Sequence, residues 1–300
     1  MKPENGEKMA VTIEEILTQA LEAGAGDIHV MPDAVPVMRI GRTLMPMAFP
    51  ALSREDTLTL LVSVMTQPQR EKFEVNGQLV MACSIRNLGR IRMSAYKQRG
   101  GIALALRLLG KSVPLAEELL LPEAVMQLCE ERQGLIFVSG ALGSGKTTTL
   151  AAMLDRINTT RKEHIITLER PVEFLHPNKQ SIISQREIGT DCQSCAEGLY
   201  SAMREDADVI LAGELTDVET LYAAVAAAKA GQLVLADVLG ADALYLWEWL
   251  KELCSGNAML LARLKSALTA VVLQRLILED GEKKRRAEFE VLSGKAFFQE

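Results

Sequence analysis

The chain has 300 residues, 48% hydrophobic and 24% charged, which is room for about two domains and a sizeable core. Lys and Arg number 33 against 39 Asp and Glu, a net charge of −6, which argues against a broad basic face and against nucleic acid as a partner. Five cysteines without a signal peptide read as reduced thiols of an intracellular protein, and the most apolar stretch, 260–278, is broken by Arg263, Lys265, Gln274 and Arg275, so it does not read as a bilayer span.

Residues 1–10, charged and carrying Pro3 and Gly6, read as a flexible tail. Ile13, Ile16, Leu17, Ala20 and Leu21 recur at helical spacing, predicting an amphipathic helix over 11–23 that ends at Gly24. Extended pieces follow at 27–31, 35–40, 78–85 and 90–96, separated by Pro32-Asp33, Gly41, Asn76-Gly77 and Gly89. Between them 53–65 and 67–73 read as helices, with Ser53 as N-cap. The result is an α+β domain over 11–109. Arg90 and Arg92 alternate along one strand and so share a face; Arg107 lies on a later stretch, 102–108. They are either a solvated face or arginines that reach a phosphate held by another domain or subunit. His29 beside Asp27 reads as structural. Residues 110–121, with Pro114 inside and Pro122 after, read as a linker to a second domain over 122–300.

Residues 134–139 are short and apolar, as a buried parallel strand is. Directly after them stands Gly140-Ala141-Leu142-Gly143-Ser144-Gly145-Lys146-Thr147, which fits G-x-x-x-x-G-K-[ST] at each fixed position, and 147–157 reads as a helix. Strand, glycine loop and helix are what phosphate binding needs. The glycines let successive N–H groups, through Thr148, turn inward, and the helix start adds its positive end. Lys146 is placed for the β- and γ-phosphates of ATP, and the Thr147 hydroxyl for Mg²⁺. Further on, 164–168 reads as a strand ending in Glu169, a candidate to orient the attacking water at the carboxyl edge of a sheet. Residues 208–214 run into Glu214, a candidate Mg²⁺ ligand. Helices at 194–203, 217–230 and 241–253 and a strand at 233–236 complete an alternation that predicts a mainly parallel, doubly wound sheet. Cys192 and Cys195 form a C-x-x-C, read as unpaired thiols around a helix start, since no second pair has metal-ligand spacing. Trp247 and Trp249 read as core or as a subunit contact.

In this order the pieces resemble the secretion and type IV pilus ATPase superfamily, most closely the pilus retraction ATPases, over 13–292. Gly24-Ala25-Gly26-Asp27-Ile28-His29-Val30 and Arg39-Ile40-Gly41 look like the family's N-terminal PAS-like domain. Residues 89–100 with Leu104-Ala105-Leu106-Arg107 look like the strand and segment that bring arginines to ATP. The loop at 140–150 matches Walker A, Glu169-Arg170-Pro171 with Gln185-Arg186-Glu187-Ile188-Gly189 looks like the Asp box, and 199–217 resembles the Walker B region. Gln274-Arg275-Leu276 resembles the segment after the His box. The resemblance implies an α/β chain: a PAS-like α+β domain, then a RecA-like P-loop ATPase domain. It implies catalytic roles for Lys146, Glu169, Glu214, Arg90, Arg92 and Arg107. It further implies a hexameric ring with ATP between subunits, peripheral on the cytoplasmic face of the inner membrane, working on a pilus or secretion platform protein.

The chain lacks the longer N-terminal extension and four-cysteine loop of assembly and type II secretion ATPases, and starts where the retraction type starts. It also ends without the long C-terminal helices typical of retraction motors. Three departures stand out. Arg170 replaces the Asp of Glu-Asp-Pro, and Thr216 replaces an Arg after Walker B. The His box is gone: Gln232 and then Asp237-Val238-Leu239-Gly240 stand where Gly-His and Thr-Leu-His-Thr are expected. Gln232 keeps a hydrogen-bond donor; Leu239 does not. The leading expectation is an ATPase motor powering pilus dynamics. The alternative is a weakly hydrolysing, nucleotide-binding regulatory or structural paralogue in such a machine. An unrelated P-loop kinase would need an acceptor pocket, for which no residues stand out.

Overall fold

The computed structural model describes residues 11–299 apart from 42, 87, 110–111 and 279–284. The expected tail at 1–10 and the start of the expected linker lie outside these. The chain divides into two compact units, Met1–Lys111 and Ser112–Glu300.

The first unit begins with α1 (Ile13–Glu22), started by a capping box: the Thr12 hydroxyl accepts the Glu15 amide at 3.2 Å and the Glu15 carboxylate accepts the Thr12 amide at 2.9 Å. Strands β1 (Asp27–Val30), β2 (Val37–Ile40) and β3 (Thr43–Pro46) precede α2 (Arg54–Val64) and α3 (Gln67–Asn76). Then come β4 (Gln78–Ile85), β5 (Gly89–Gln98) and β6 (Gly101–Leu108). The six strands form one antiparallel sheet in the order β3-β2-β1-β6-β5-β4. Ile13, Ile16, Leu17 and Ala20 of α1 join Ile28, Val30, Met93, Leu104 and Leu106 of the sheet in one core. Each large side chain buried there is worth about 1.5–3 kcal/mol. Strand β3, all four residues of it exposed, is absent from the sequence expectation, because it has no buried face to give it a pattern.

The second unit contains α4 (Glu123–Leu128), β7 (Gly134–Gly140), α5 (Lys146–Thr160), β8 (His164–Glu169), β9 (Ile182–Glu187), α6 (Cys195–Ala202) and β10 (Val209–Glu214). It continues with α7 (Val218–Ala230), β11 (Leu233–Leu239), α8 (Ala243–Leu253), α9 (Ala258–Ala267), β12 (Leu268–Leu278), β13 (Arg285–Ser293) and α10 (Gly294–Phe297). Its sheet runs β13-β12-β7-β11-β10-β8-β9, parallel throughout except for β13 against β12. The central strands are apolar on both faces. In β7, Leu135 and Phe137 pack with Leu199 of α6 and Leu221 of α7. Ile136 and Val138 pack with Val125 of α4 and Leu150, Met153 and Ile157 of α5. Helices therefore cover both sides, the doubly wound arrangement expected of continuous apolar strands. Trp247 lies against the first of these cores and meets Phe297 and Phe298 edge-on at 6.2 and 5.2 Å, so it is a core contact.

Parallel strands put their carboxyl ends on one edge. From β8 across to β12 that edge carries Glu169, Glu214, Asp237, the glycine loop after β7, and Gln274. The chain leaves β7 toward β8 on one side and later returns to pair β12 on its other side, the kind of switch point where open α/β sheets bind ligands.

Candidate active site

The loop after β7 is shaped by its glycines. A side chain on Gly140 would run into the Gln274 carbonyl and the Ser144 hydroxyl, and Gly145, the N-cap of α5, sits at φ +92°, where other residues are strained. The Gln274 amide donates to the Ser144 carbonyl at 2.8 Å, fastening the loop to β12. Leu142 stands fully out at the tip, while Lys146, first residue of α5, is buried. Its ammonium donates to the Gly140 carbonyl at 3.0 Å and the Ala141 carbonyl at 3.3 Å, and lies 3.5 Å from Asp237 Oδ1. Thr147 and Thr148 follow in the first turn, half-buried. Backbone amides, a helix start and an ammonium converge here, which is the chemistry that holds phosphate.

Glu169 closes β8 and is buried. Its Oε1 accepts the Thr167 hydroxyl at 2.6 Å and the Gln185 amide at 3.2 Å. Burial pushes its pKa up; the hydrogen bonds from Thr167, Gln185 and the Glu173 backbone pull it back. Glu214 ends β10, exposed, and pairs in register with Asp237 of β11. Burial pushes Asp237 up to about 6; Lys146 pulls it down and the charges of Glu214 and Glu173 push it further up. The structure thus gathers Lys146, Glu169 and Glu214, with the loop 140–148, along one sheet edge.

Arg90, Arg92 and Arg107 belong to the first unit. Arg92 faces Arg107 across β5 and β6, Arg107 faces Asp27, and Asp27 faces Arg39, so one cross-strand row holds three arginines and one aspartate. Arg107 Nε donates to Asp27 Oδ1 at 2.8 Å, and Arg90 donates to the Ser84 hydroxyl at 3.3 Å.

Three contributions escaped the sequence reading. Asp237 was read only within the segment that stands where the His box is expected; the register of β11 beside β7 is what brings it to Lys146. Gln274 was legible as part of a segment but not as a clamp. Thr167 had a signal, since two residues before Glu169 on a strand means the same face. Gln232 and Leu239 do not occupy equivalent places. Leu239 pairs with Gly140 beside the loop, but Gln232 stands before the opposite end of β11, where its carbonyl accepts the Gly134 amide at 3.0 Å. At about 3.3 Å per residue the strand separates them by roughly 20 Å, so within this chain Gln232 cannot donate to the phosphates.

Among the described residues no group of three or more His, Cys, Asp or Glu could hold a metal by itself. The Thr147 hydroxyl and the exposed Glu214 carboxylate are oxygen donors of the kind that suits Mg²⁺. Cys192 and Cys195 are free and buried, and burial pushes Cys195 up to about 12, which suits packing rather than nucleophilic chemistry.

The family profile for type II/IV secretion system proteins matches residues 3–297. The chain belongs to the type II/IV secretion system protein family. It is 35% identical over 281 residues to the type IV pilus ATPase PilU of Pseudomonas aeruginosa, covering 93% of this chain and 74% of that one. To the pilus retraction ATPase PilT of the same organism it is 33% identical over 284 residues, covering 94% and 82%. A crystal structure of the pilus retraction motor PilT with bound ADP superposes with a TM-score of 0.87 at 40% identity, covering 94% of this chain and 83% of that one. For a member of the type II/IV secretion family, the glycine loop and the three acidic strand ends lie well inside the matched span.

Proposed function

We propose that this chain is an ATP-binding and ATP-hydrolysing motor of the pilus retraction kind, turning ATP and water into ADP and phosphate. The observation that carries it is Lys146, buried inside a glycine loop at a helix start, with acidic strand ends beside it. In this reading the amides of Gly140 to Thr148 hold the phosphates and Lys146 leaves its carbonyl partners to neutralise them. Mg²⁺, when bound, draws charge off the phosphate oxygens, and Thr147 and Glu214 hold it. Glu169 orients the attacking water and takes its proton. Arg90, Arg92 and Arg107 neutralise phosphate charge held by a neighbouring subunit. The proposed assembly is a homo-hexameric ring. It sits peripherally on the cytoplasmic face of the inner membrane, against a platform protein of a pilus or secretion machine. Similarity to PilT and PilU supports this, and among the described residues no helix is long and apolar enough to cross a membrane.

A second reading has one observation in its favour. Leu239, beside Gly140, offers the phosphates an apolar and 44% exposed side chain where a histidine would offer a hydrogen bond. In that reading the chain binds nucleotide but hydrolyses it weakly, as a regulatory or structural subunit. Steady-state hydrolysis with Mg²⁺ separates the two. A motor shows turnover that Lys146→Ala abolishes and Glu214→Gln lowers on the order of 10²–10³-fold. Turnover equal to the Lys146→Ala background, rising in Leu239→His, selects the second reading.

A further inference from the structure

We propose that Asp237 is a positioning residue for Lys146: it holds the lysine before nucleotide arrives, and it makes nucleotide binding depend on a divalent cation. The inference rests on the nucleotide reading above. An ammonium has three donors. Two of those of Lys146 go to the Gly140 and Ala141 carbonyls, and its remaining approach is to Asp237 Oδ1 at 3.5 Å. At 3.5 Å the contact is an ion pair longer than a well-formed hydrogen bond. Lys146 is 8% exposed and Asp237 18%, so water screens the pair weakly. Asp237 is placed by register between Glu214 of β10 and Val138 of β7, two residues short of Gly140.

This geometry has a cost. Phosphates that take up the Lys146 ammonium come within a few ångströms of the Asp237 carboxylate and must take the lysine from it. Two like charges at about 5 Å in a site of effective dielectric constant near 20 repel enough to weaken binding on the order of 10²-fold. A divalent cation held among the phosphates would offset that repulsion. Asp237 should therefore oppose cation-free nucleotide and leave cation-bound nucleotide nearly untouched, which a purely structural residue would not do.

The test is equilibrium binding of a fluorescent ADP analogue to the full chain, once with EDTA and once with Mg²⁺, for wild type and Asp237→Asn. Asp237→Thr serves as a second, smaller replacement, and a thermal melt reports folding of each. The expected result is an EDTA affinity on the order of 10²-fold tighter in Asp237→Asn, with the Mg²⁺ affinity changed less than about threefold, so that the ratio between the two conditions collapses. An unchanged ratio overturns the inference. So does a loss confined to the Mg²⁺ condition, which would make Asp237 a direct ligand of the cation. If wild type binds ADP in neither condition, the nucleotide reading falls and this one with it; binding with an unchanged ratio overturns this one alone.

Discussion

At the scale of single residues the site depends on carboxylates kept in particular states by one or two neighbours. Glu169 is the clearest. It is buried, which favours its protonated form, and a base must be ionised. The Thr167 hydroxyl, donating at 2.6 Å, works against burial by stabilising the charged form. Thr167→Val keeps the shape and removes the donor. Its effect has a sign: losing a hydrogen bond to the ionised carboxylate raises the Glu169 pKa. The acidic limb of the pH dependence of kcat should therefore move to higher pH, with turnover at pH 7 lowered and ADP affinity unchanged. A fall in turnover that is the same at every pH would deny Thr167 this role. Gln185, the second donor at 3.2 Å, remains in the variant, so the loss should be partial.

At the scale of elements, the position of Gln185 depends on how β9 is held. Asn158 of α5 is fully buried, donates to the Pro177 carbonyl at 2.8 Å and accepts the Lys179 amide at 3.2 Å. Its own carbonyl accepts the amides of Gln180 and Ser181, so one turn of α5 secures the segment that enters β9. Asn158→Ala removes two part-buried hydrogen bonds, to the Pro177 carbonyl and the Lys179 amide, a loss of about 1–2 kcal/mol, which lowers the melting temperature by about 2–8 °C for a unit of this size. Lys179→Ala breaks the partly exposed pair with Asp155 and should cost less than about 1 kcal/mol. Equal melting temperatures for the two variants would contradict the assignment. These same elements mark the limit of legibility. Strands β7, β8, β10 and β11 are buried on both faces and read directly as apolar runs before a glycine or an acid. Strand β9 lies at the sheet edge with Ser184, Gln185, Arg186 and Glu187 in a row, so it carries no apolar pattern to read. The run at 260–278 is mostly apolar and broken by only a few polar residues, yet it is most of α9 followed by β12, and periodicity does not separate a buried helix from a buried strand. In the site, Lys146, Glu169 and Glu214 were legible because a motif or a strand end marks them. Asp237 was not, because only pairing between β11 and β7 brings it to the lysine.

At the scale of the whole molecule, the residues proposed for catalysis are divided between two units. The glycine loop and the acids belong to the second, and Arg90, Arg92 and Arg107 to the first. If the arginines serve a phosphate held by a neighbouring subunit, each working site needs an intact loop in one chain and intact arginines in the next. Two dead variants can then repair each other. Arg92→Ala keeps the loop and Lys146→Ala keeps the arginines. In rings assembled from equal parts of both, about a quarter of the subunit boundaries combine the good loop of one with the good arginine of the other. Turnover should rise from background toward about a quarter of wild type when the two are mixed before assembly, and stay at background when they are assembled apart. If the arginines act within their own chain, no combination restores a site and mixing changes nothing. The same experiment tests the ring, because the recovery requires that copies of this chain assemble at all, and light scattering on the mixture reports whether six do.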